Sequence, residues 1–351
     1  DVDMPGFALF ALFTLALGMT VVIPDMDPTR PANVDPVKIM EAIANNGATF
    51  SFGSPALWNR VSLHCEEHKL SLPCLRNVIM AGAPIPGYLH RRMLNGILPE
   101  GAEIHTPYGA TECLPVTSFE GSNILSETLE LTAQGKGYCV GKPLKQIAIK
   151  IIRISDEPVS RWADVEELPP GEIGEIVIQG PVVSRRYHQL PEQTALHKIY
   201  ETDDLERGPF WHRIGDTGYF DSEGRLWFCG RKSHRLETAN GTMFTVCCEA
   251  IFNNHPAIFR SALVGLGKDR YRQMPVLIVE PEAEAFPENK AARDALLEEM
   301  RQLAASHPLT KHLQVILLHP AFPVDIRHNA KIFREKLAVW AADQPEVRGK
   351  Y

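Results

Sequence analysis

The sequence predicts a multidomain α/β protein, and two observations lead to that prediction. Its 351 residues exceed what one ordinary hydrophobic core organises, which indicates two or three domains. Alternating helices and short apolar strands give way near residue 139 to strands among glycine turns. We therefore expect an α/β layered subdomain over residues 1–139, a small β subdomain over 140–230 and an α+β C-terminal domain over 231–351.

The first unit is predicted from helices that alternate with short apolar strands. This alternation is typical of a mostly parallel sheet, because parallel strands need a crossover connection between them. The turn Gly82-Ala83-Pro84 ends one of the strands. Helices are expected over residues 36–47, 55–68 and 88–94, and strands over residues 50–52, 76–80 and 103–105.

The second and third units differ from the first in their periodicity. Ile147, Ile149 and Ile151 alternate with other residues, which is the pattern of a half-buried strand. In the third unit the apolar residues of a helix expected over 290–305 recur at helical spacing. Further strands are expected near residues 175–178, 226–228, 262–264, 276–279 and 315–318.

Composition and charge exclude several classes of protein. The formal charge of −7 argues against a nucleic-acid backbone as partner. Seven cysteines without a CxxC pair indicate reduced thiols in a cytoplasmic protein, and the adjacent Cys247 and Cys248 fit core packing better than redox chemistry. The uncharged stretch 7–23 lies at the short limit for a membrane span; Gly18 and the β-branched run before Pro24 favour a buried helix and a buried strand instead.

Residues 108–112, Tyr-Gly-Ala-Thr-Glu, carry groups that suit a nucleotide. The ring of Tyr108 can stack on a base, and Gly109 lets the backbone approach the ligand. The Thr111 hydroxyl can bind phosphate, and the Glu112 carboxylate suits Mg²⁺, which prefers oxygen ligands. Taken alone, the pentapeptide is equally compatible with an ordinary turn at the end of a strand.

Four other features strengthen the nucleotide interpretation. Gly82-Ala83-Pro84 is a turn that could pass close to a flat base. Asp216 lies between glycines and could chelate two ribose hydroxyls, while Arg231 offers a bidentate donor. Lys331, near the C-terminal end, provides a point charge on a flexible stem.

In order and spacing, these motifs resemble those of the adenylate-forming superfamily of acyl-CoA synthetases, luciferases and peptide-synthetase adenylation domains. The G-E-[IL]-x-[IV]-x-G block of that superfamily also has a counterpart at residues 174–180, so the resemblance covers essentially the whole chain. It implies ATP and Mg²⁺ as cofactors and a mobile C-terminal domain. The implied roles are adenine binding by Gly82, Ala83, Pro84, Tyr108 and Gly109, α-phosphate binding by Thr111, Mg²⁺ ligation by Glu112, ribose binding by Asp216 and Arg231, and catalysis by Lys331 together with Thr111 and Glu112.

The sequence departs from the superfamily pattern in three places. The Ser/Thr/Gly-rich phosphate loop is absent and is expected upstream of Asp1, so the chain has the character of a fragment with little activity of its own. The hinge position is Ser233 where Asp or Lys is usual, and the lysine motif reads Arg-His-Asn-Ala-Lys over residues 327–331. The last two departures put thioester formation with CoA in doubt and leave adenylation intact.

The same departures resemble the β-lactone synthetases of bacterial long-chain olefin biosynthesis. That resemblance implies adenylation of a 2-alkyl-3-hydroxy fatty acid, followed by attack of its own 3-hydroxyl to close a β-lactone and release AMP. His234 and His328 are candidates to accept the hydroxyl proton. It also implies a homo-oligomer or an assembly with other olefin-pathway enzymes.

Three other functions remain open on the sequence. A fatty acyl-CoA synthetase or an acyl-AMP ligase would share the adenylation motifs. A zinc metallohydrolase could use His64 and His68, which match an H-x-x-E-H pattern but lack a convincing third ligand. A relative that only binds nucleotide would not need Lys331.

Overall fold

The structure, a computed structural model, describes residues 1–325 and 332–349. Within these residues the strands are β1 (Val2–Asp3), β2 (Thr20–Val21), β3 (Phe50–Gly53), β4 (Asn77–Met80), β5 (Glu103–Ala110), β6 (Cys113–Glu120), β7 (Tyr138–Pro143), β8 (Ala148–Ile152), β9 (Gly174–Gln179), β10 (Lys198–Tyr200), β11 (Phe210–Phe220), β12 (Leu226–Arg231), β13 (Leu236–Thr238), β14 (Gly241–Met243), β15 (Ile258–Leu266), β16 (Met274–Pro281) and β17 (Val315–Leu318). The helices are α1 (Ala8–Ala16), α2 (Pro36–Asn46), α3 (Pro55–His68), α4 (Gly87–Gly96), α5 (Gly121–Asn123), α6 (Leu129–Ala133), α7 (Pro191–His197), α8 (Thr245–Asn253), α9 (Lys290–Ser306) and α10 (Arg334–Ala342).

The first five strands form the parallel part of a twelve-stranded sheet, in the order β2-β1-β3-β4-β5. Helices α2, α3 and α4 make the crossovers, as the alternation of elements predicts. Side-chain caps fix where α2 and α3 begin. The Asp35 side chain accepts a hydrogen bond from the Val37 backbone N–H, and the Ser54 side chain caps α3 in the same way. The core beneath them includes the fully buried Ile43, Trp58 and other side chains.

From β5 onward the sheet becomes antiparallel and continues as β6-β7-β12-β11-β9-β8, with β10 paired to β11. The predicted strands near 147–151, 175–178 and 226–228 are confirmed as β8, β9 and β12. β7 lies across the predicted boundary at residue 139, so one continuous sheet joins the first two units. The division of the chain into three domains stays a prediction.

The last unit has its own three-stranded sheet, β15-β16-β17, with helices on its two faces. The helix predicted over 290–305 is confirmed as α9, whose first turn is capped by Asn289. Cys247 and Cys248 are buried in α8, where they pack in the core as predicted. All seven cysteines of the chain are free thiols.

The stretch 7–23 forms a helix and a strand, as predicted, but the expectation of burial is wrong for both. Only one side of α1 faces the sheet, where Phe10 stacks on Phe52 with 3.7 Å between ring centroids. Its other side is open, with Leu12 64% exposed, because α1 lies over the edge of the sheet where β2 is the last strand. In the described part of the chain, no helix is both long and apolar enough to cross a membrane.

Candidate nucleotide site

The Tyr108–Glu112 motif forms the tip of a β-hairpin. Tyr108, Gly109 and Ala110 end β5, and Thr111 and Glu112 make a two-residue turn before β6. A Cβ on Gly109 would lie 2.4 Å from the Cys113 carbonyl oxygen, so only glycine lets the two strands approach this closely. The turn therefore presents a hydroxyl and a carboxylate beside a stretch of closely packed backbone.

Asp216 is the centre of the site, and the structure brings Tyr108 and Arg231 to it. The Tyr108 hydroxyl donates a 2.6 Å hydrogen bond to Asp216 Oδ2 across a sequence separation of 108 residues. Arg231 Nη1 lies 2.9 Å from Asp216 Oδ1, because β11 and β12 pair these residues directly. Asp216 is 3% exposed, whereas the Arg231 side chain is 52% exposed.

Burial and the neighbouring groups shift the pKa values of Asp216 and Tyr108. Burial raises the pKa of Asp216, and Arg231 and the Tyr108 hydroxyl act against that shift. Burial, reinforced by Asp216, raises the pKa of Tyr108, so the phenol stays protonated and donates. Asp216 Oδ1 is buried, and its partner among the described residues is the Arg231 guanidinium, 2.9 Å away.

Glu112 lies in a second cluster of polar groups beside the first. The Tyr187 hydroxyl donates a 2.8 Å hydrogen bond to Glu112 Oε1. Burial tends to raise the pKa of Glu112, but the Tyr187 hydrogen bond and the nearby Lys198 ammonium help to bring it below its usual range. The carboxylate is therefore ionised at neutral pH, in the form that binds a hard cation such as Mg²⁺.

Lys198 and His212 lie beneath this carboxylate and are almost completely buried. Lys198 Nζ donates to the Ser184 carbonyl at 2.5 Å and lies 3.0 Å from His212 Nδ1, which also lies 3.2 Å from the His197 carbonyl oxygen. Burial lowers the pKa of Lys198 to about 8, and burial together with the Lys198 charge lowers the pKa of His212 to about 4. His212 is thus a neutral acceptor at physiological pH.

The remaining predicted residues lie around the same edge of the sheet or outside the described residues. Gly82-Ala83-Pro84 follows the end of β4, which pairs in parallel with β5, and Gly82 has a φ of +97°. Thr111 is exposed at the hairpin tip. The predicted catalytic Lys331 and the candidate base His328 lie outside the described residues, between Val324 and Ile332, which form an antiparallel bridge.

The two histidines considered as zinc ligands lie on α3. His64 and His68 stack in α3 with 4.2 Å between ring centroids. Among the described residues, no group of three or more His, Cys, Asp or Glu side chains is arranged to hold a metal ion. The pair is therefore an aromatic contact on a helix in this part of the chain.

The buried residues that contact the site residues were not predicted from the sequence. Tyr187 and Lys198 carry no motif of their own, and a buried ion-pair network of Glu175, Arg213 and Lys232 was not foreseen. Arg213 and Glu175 are both completely buried, with 2.8 Å between Nη2 and Oε2. The cationic residues flanking Asp216 and Gly230 were a signal that could have pointed to this network.

The chain is similar in sequence to a known family of enzymes. The profile of the AMP-binding enzyme family matches residues 4–188. The chain is 47% identical over 347 residues to an olefin beta-lactone synthetase of Stenotrophomonas maltophilia (strain K279a), covering 99% of this chain and 61% of that protein. It is 47% identical over 349 residues to an olefin beta-lactone synthetase of Xanthomonas campestris pv. campestris, covering 98% and 60%. The chain thus spans about three fifths of the length of these relatives.

Two solved structures share the fold. The amide bond synthetase McbA from Marinactinospora thermotolerans superposes with a TM-score of 0.74 at 23% identity, over 96% of this chain and 62% of that one. The o-succinylbenzoate CoA synthetase MenE from Bacillus subtilis, in complex with the acyl-adenylate intermediate OSB-AMP, gives 0.69 at 20% identity, over 96% and 60%. The predicted α/β fold of an adenylate-forming ligase is confirmed.

Proposed function

We propose that the chain, which belongs to the AMP-binding enzyme family, serves to convert a 2-alkyl-3-hydroxy fatty acid into a β-lactone with ATP. In the first step a carboxylate oxygen attacks the α-phosphorus, and the bond to pyrophosphate breaks. In the second step the 3-hydroxyl oxygen attacks the acyl carbon, its proton leaves to a base, and AMP departs with the electrons of the acyl–oxygen bond. The β-lactone synthetases that are 47% identical to the chain support this choice of substrate.

The observation that carries the nucleotide part of the proposal is the trio of Tyr108, Asp216 and Arg231. One oxygen of its buried carboxylate accepts a hydrogen bond from the Tyr108 phenol, and the other faces the Arg231 guanidinium at 2.9 Å. Such an acceptor at the bottom of a site suits the vicinal hydroxyls of a ribose. The half-exposed Arg231 is then placed to donate to the same sugar or to a phosphate.

Thr111 and Glu112, at the tip of the hairpin, are proposed to bind the phosphates and their metal ion. In this proposal Thr111 donates to the α-phosphate, and Glu112 holds Mg²⁺ with a carboxylate that its surroundings keep ionised. When bound, Mg²⁺ neutralises charge on the triphosphate. Gly82-Ala83-Pro84 and Tyr108 border the adenine, and Lys331 bridges the carboxylate and the α-phosphate.

Ring closure needs no second substrate, because the nucleophile is already part of the acyl-adenylate. A tethered and oriented hydroxyl reacts far faster than a free one, which helps to offset the strain of a four-membered ring. His234 and His328 are the proposed acceptors for its proton. The proposed setting is the cytoplasm, as a homo-oligomer or in an assembly with other enzymes that act on long-chain 3-hydroxy acids.

An acyl-CoA or acyl-AMP ligase is the second candidate, because more distant relatives are named CoA ligases. The acyl-CoA ligase SID4 of Ajellomyces capsulatus is 29% identical over 91% of the chain. The first-step chemistry would be the same in both cases. Only the fate of the acyl-adenylate separates them.

The test uses the full-length protein with ATP, Mg²⁺ and a 2-alkyl-3-hydroxy fatty acid, with and without CoA, followed by mass spectrometry. We expect a product at the mass of the acid minus water, with AMP and pyrophosphate, in the absence of CoA. An Asp216→Asn variant is the control and should lose product at ATP concentrations that saturate the wild type. An acyl-CoA that forms only when CoA is added would refute lactone formation and favour the ligase.

A further inference from the structure

The hairpin tip that presents Glu112 has few restraints of its own. Thr111 and Glu112 form a two-residue turn, and Thr111 is exposed. A glutamate side chain on such a turn has three rotatable bonds, and each unrestrained bond lowers the fraction of time that the carboxylate faces a ligand. A metal ligand in this position therefore needs support from a neighbouring segment.

The segment 184–187 supplies that support through both backbone and side chain. The Ser184 backbone N–H donates to the Glu112 carbonyl at 2.8 Å, which holds the turn itself. The Tyr187 hydroxyl donates to Glu112 Oε1 at 2.8 Å, which fixes the carboxylate. The Tyr187 backbone N–H is in turn held by the Thr194 hydroxyl at 3.1 Å.

Lys198 holds the same segment from below. Its Nζ donates to the Ser184 carbonyl at 2.5 Å and lies 5.6 Å from the centroid of the Tyr187 ring, within the range of a cation–π contact. Lys198 is only 1% exposed, and β10 pairs it directly with His212 in β11, where His212 Nδ1 accepts from the ammonium at 3.0 Å. A fully buried lysine that binds one backbone carbonyl and one imidazole holds these groups at fixed positions.

We infer that Tyr187 is a positioning residue for the metal-binding carboxylate, held in turn by Lys198. Tyr187 touches neither nucleotide nor acid in this scheme; it orients Glu112 so that the carboxylate meets the Mg²⁺ that accompanies ATP. Hydrogen bonds to metal-ligating groups commonly change metal affinity or activity 10–100-fold. The inference rests on the proposed function, since it needs Glu112 to bind Mg²⁺.

The experiment compares Tyr187→Phe with a matched Tyr219→Phe control in the full-length protein. Tyr219 also donates one hydrogen bond, to the Lys136 carbonyl at 3.1 Å, but it is not one of the residues described around Glu112. Pyrophosphate release is measured at fixed ATP over a range of Mg²⁺ concentrations, and AMP binding is measured without metal. We expect the half-saturating Mg²⁺ concentration to rise about 10-fold in Tyr187→Phe, with AMP affinity within about 2-fold of wild type and both quantities unchanged in the control.

Two outcomes would overturn the inference. The first is a Mg²⁺ dependence of Tyr187→Phe equal to that of the wild type. The second is a parallel loss of metal-free AMP binding, which would indicate general damage to the site. A wild-type protein that releases no pyrophosphate in a Mg²⁺-dependent manner would instead refute the proposed function, and the inference with it.

Discussion

Replacing Arg334 by Met should destabilise the C-terminal unit strongly. The guanidinium binds both carboxylate oxygens of Glu249, with 2.8 Å between Nη2 and Oε2. Glu249 is only 6% exposed, and it also accepts a hydrogen bond from the Leu263 backbone N–H at 2.7 Å. Arg334 is also the first residue of α10, where the helix dipole disfavours a cation, so the pair must outweigh that cost.

The expected magnitude follows from the burial of Glu249. Removing one partner of a buried ion pair leaves an uncompensated charge and costs about 3–5 kcal/mol. Relief of the unfavourable dipole interaction returns about 0.5 kcal/mol. The net loss of about 3 kcal/mol or more should lower the unfolding midpoint of this unit by about 10 °C.

The loss should also depend on pH. Burial raises the pKa of Glu249, while Arg334 and the Leu263 N–H oppose the shift. Without Arg334 the folded-state pKa rises further above that of the unfolded chain, so the folded variant takes up a proton as pH falls. The defect should therefore be largest near pH 8 and become smaller as pH approaches the ordinary range of a glutamate.

Thermal unfolding at pH 8 and pH 5.5 measures both effects, with Arg293→Met as the matched control. Arg293 pairs with Glu346 at 3.4 Å, and both side chains are nearly half exposed, so this change should cost less than about 0.5 kcal/mol. Equal midpoints for the two variants at pH 8 would refute the reasoning. So would a defect of Arg334→Met that grows on acidification.

Three further predictions concern the nucleotide site. Asp216→Asn should weaken AMP binding at least about 10-fold. The unfolding midpoint of this variant at pH 8 should be unchanged or higher, because burial raises the pKa of the Asp216 carboxyl. Calorimetry measures both the affinity and the midpoint. The stability of wild type relative to Lys198→Met should increase between pH 7 and pH 10.5 in denaturant titrations, since burial lowers the lysine pKa to about 8 and the buried charge is lost as pH rises. Gly109→Ala should abolish AMP binding and lower the midpoint, because its Cβ would meet the Cys113 carbonyl at 2.4 Å, whereas Gly96→Ala, with open space around it, should do neither.

Much of the parallel part of the fold could be predicted, because its signals are local. The helix-capping side chain of Ser54 and the apolar spacing of α2 and α3 lie within a few residues of the elements they define. The exposed outer side of α1 could not be predicted, since apolar composition indicates burial and the sequence does not say that β2 is an edge strand. Strands β6 and β11 were also missed, although each pairs with a strand next to it in the chain, because neither alternates regularly between buried and exposed residues along its length.

The residues of the candidate nucleotide site also differ in whether the sequence carries a signal for them. Tyr108, Asp216 and Arg231 were predicted together only because motifs in a known order imply that they meet; no local rule joins residues 108 positions apart. Lys198 had no such signal. A lysine is usually exposed, and its burial follows from the pairing of β10 with β11, which no short window of sequence contains.

The ion pairs around the end of β12 bear on the predicted movement of the C-terminal unit relative to the proposed nucleotide site. Arg231 contacts Asp216, and the next residue, Lys232, is tied at 2.8 Å to the completely buried Glu175. Arg235 then holds Asp156, in the loop of the β subdomain, at 2.6 Å. A rotation that starts after Lys232 would break the ion pairs of Asp156 with Arg235 and Arg270 and leave those of Glu175 with Arg213 and Lys232 in place. If Asp216 and Arg231 bind a ribose as proposed, those contacts would stay in place while the predicted mobile unit changes its orientation.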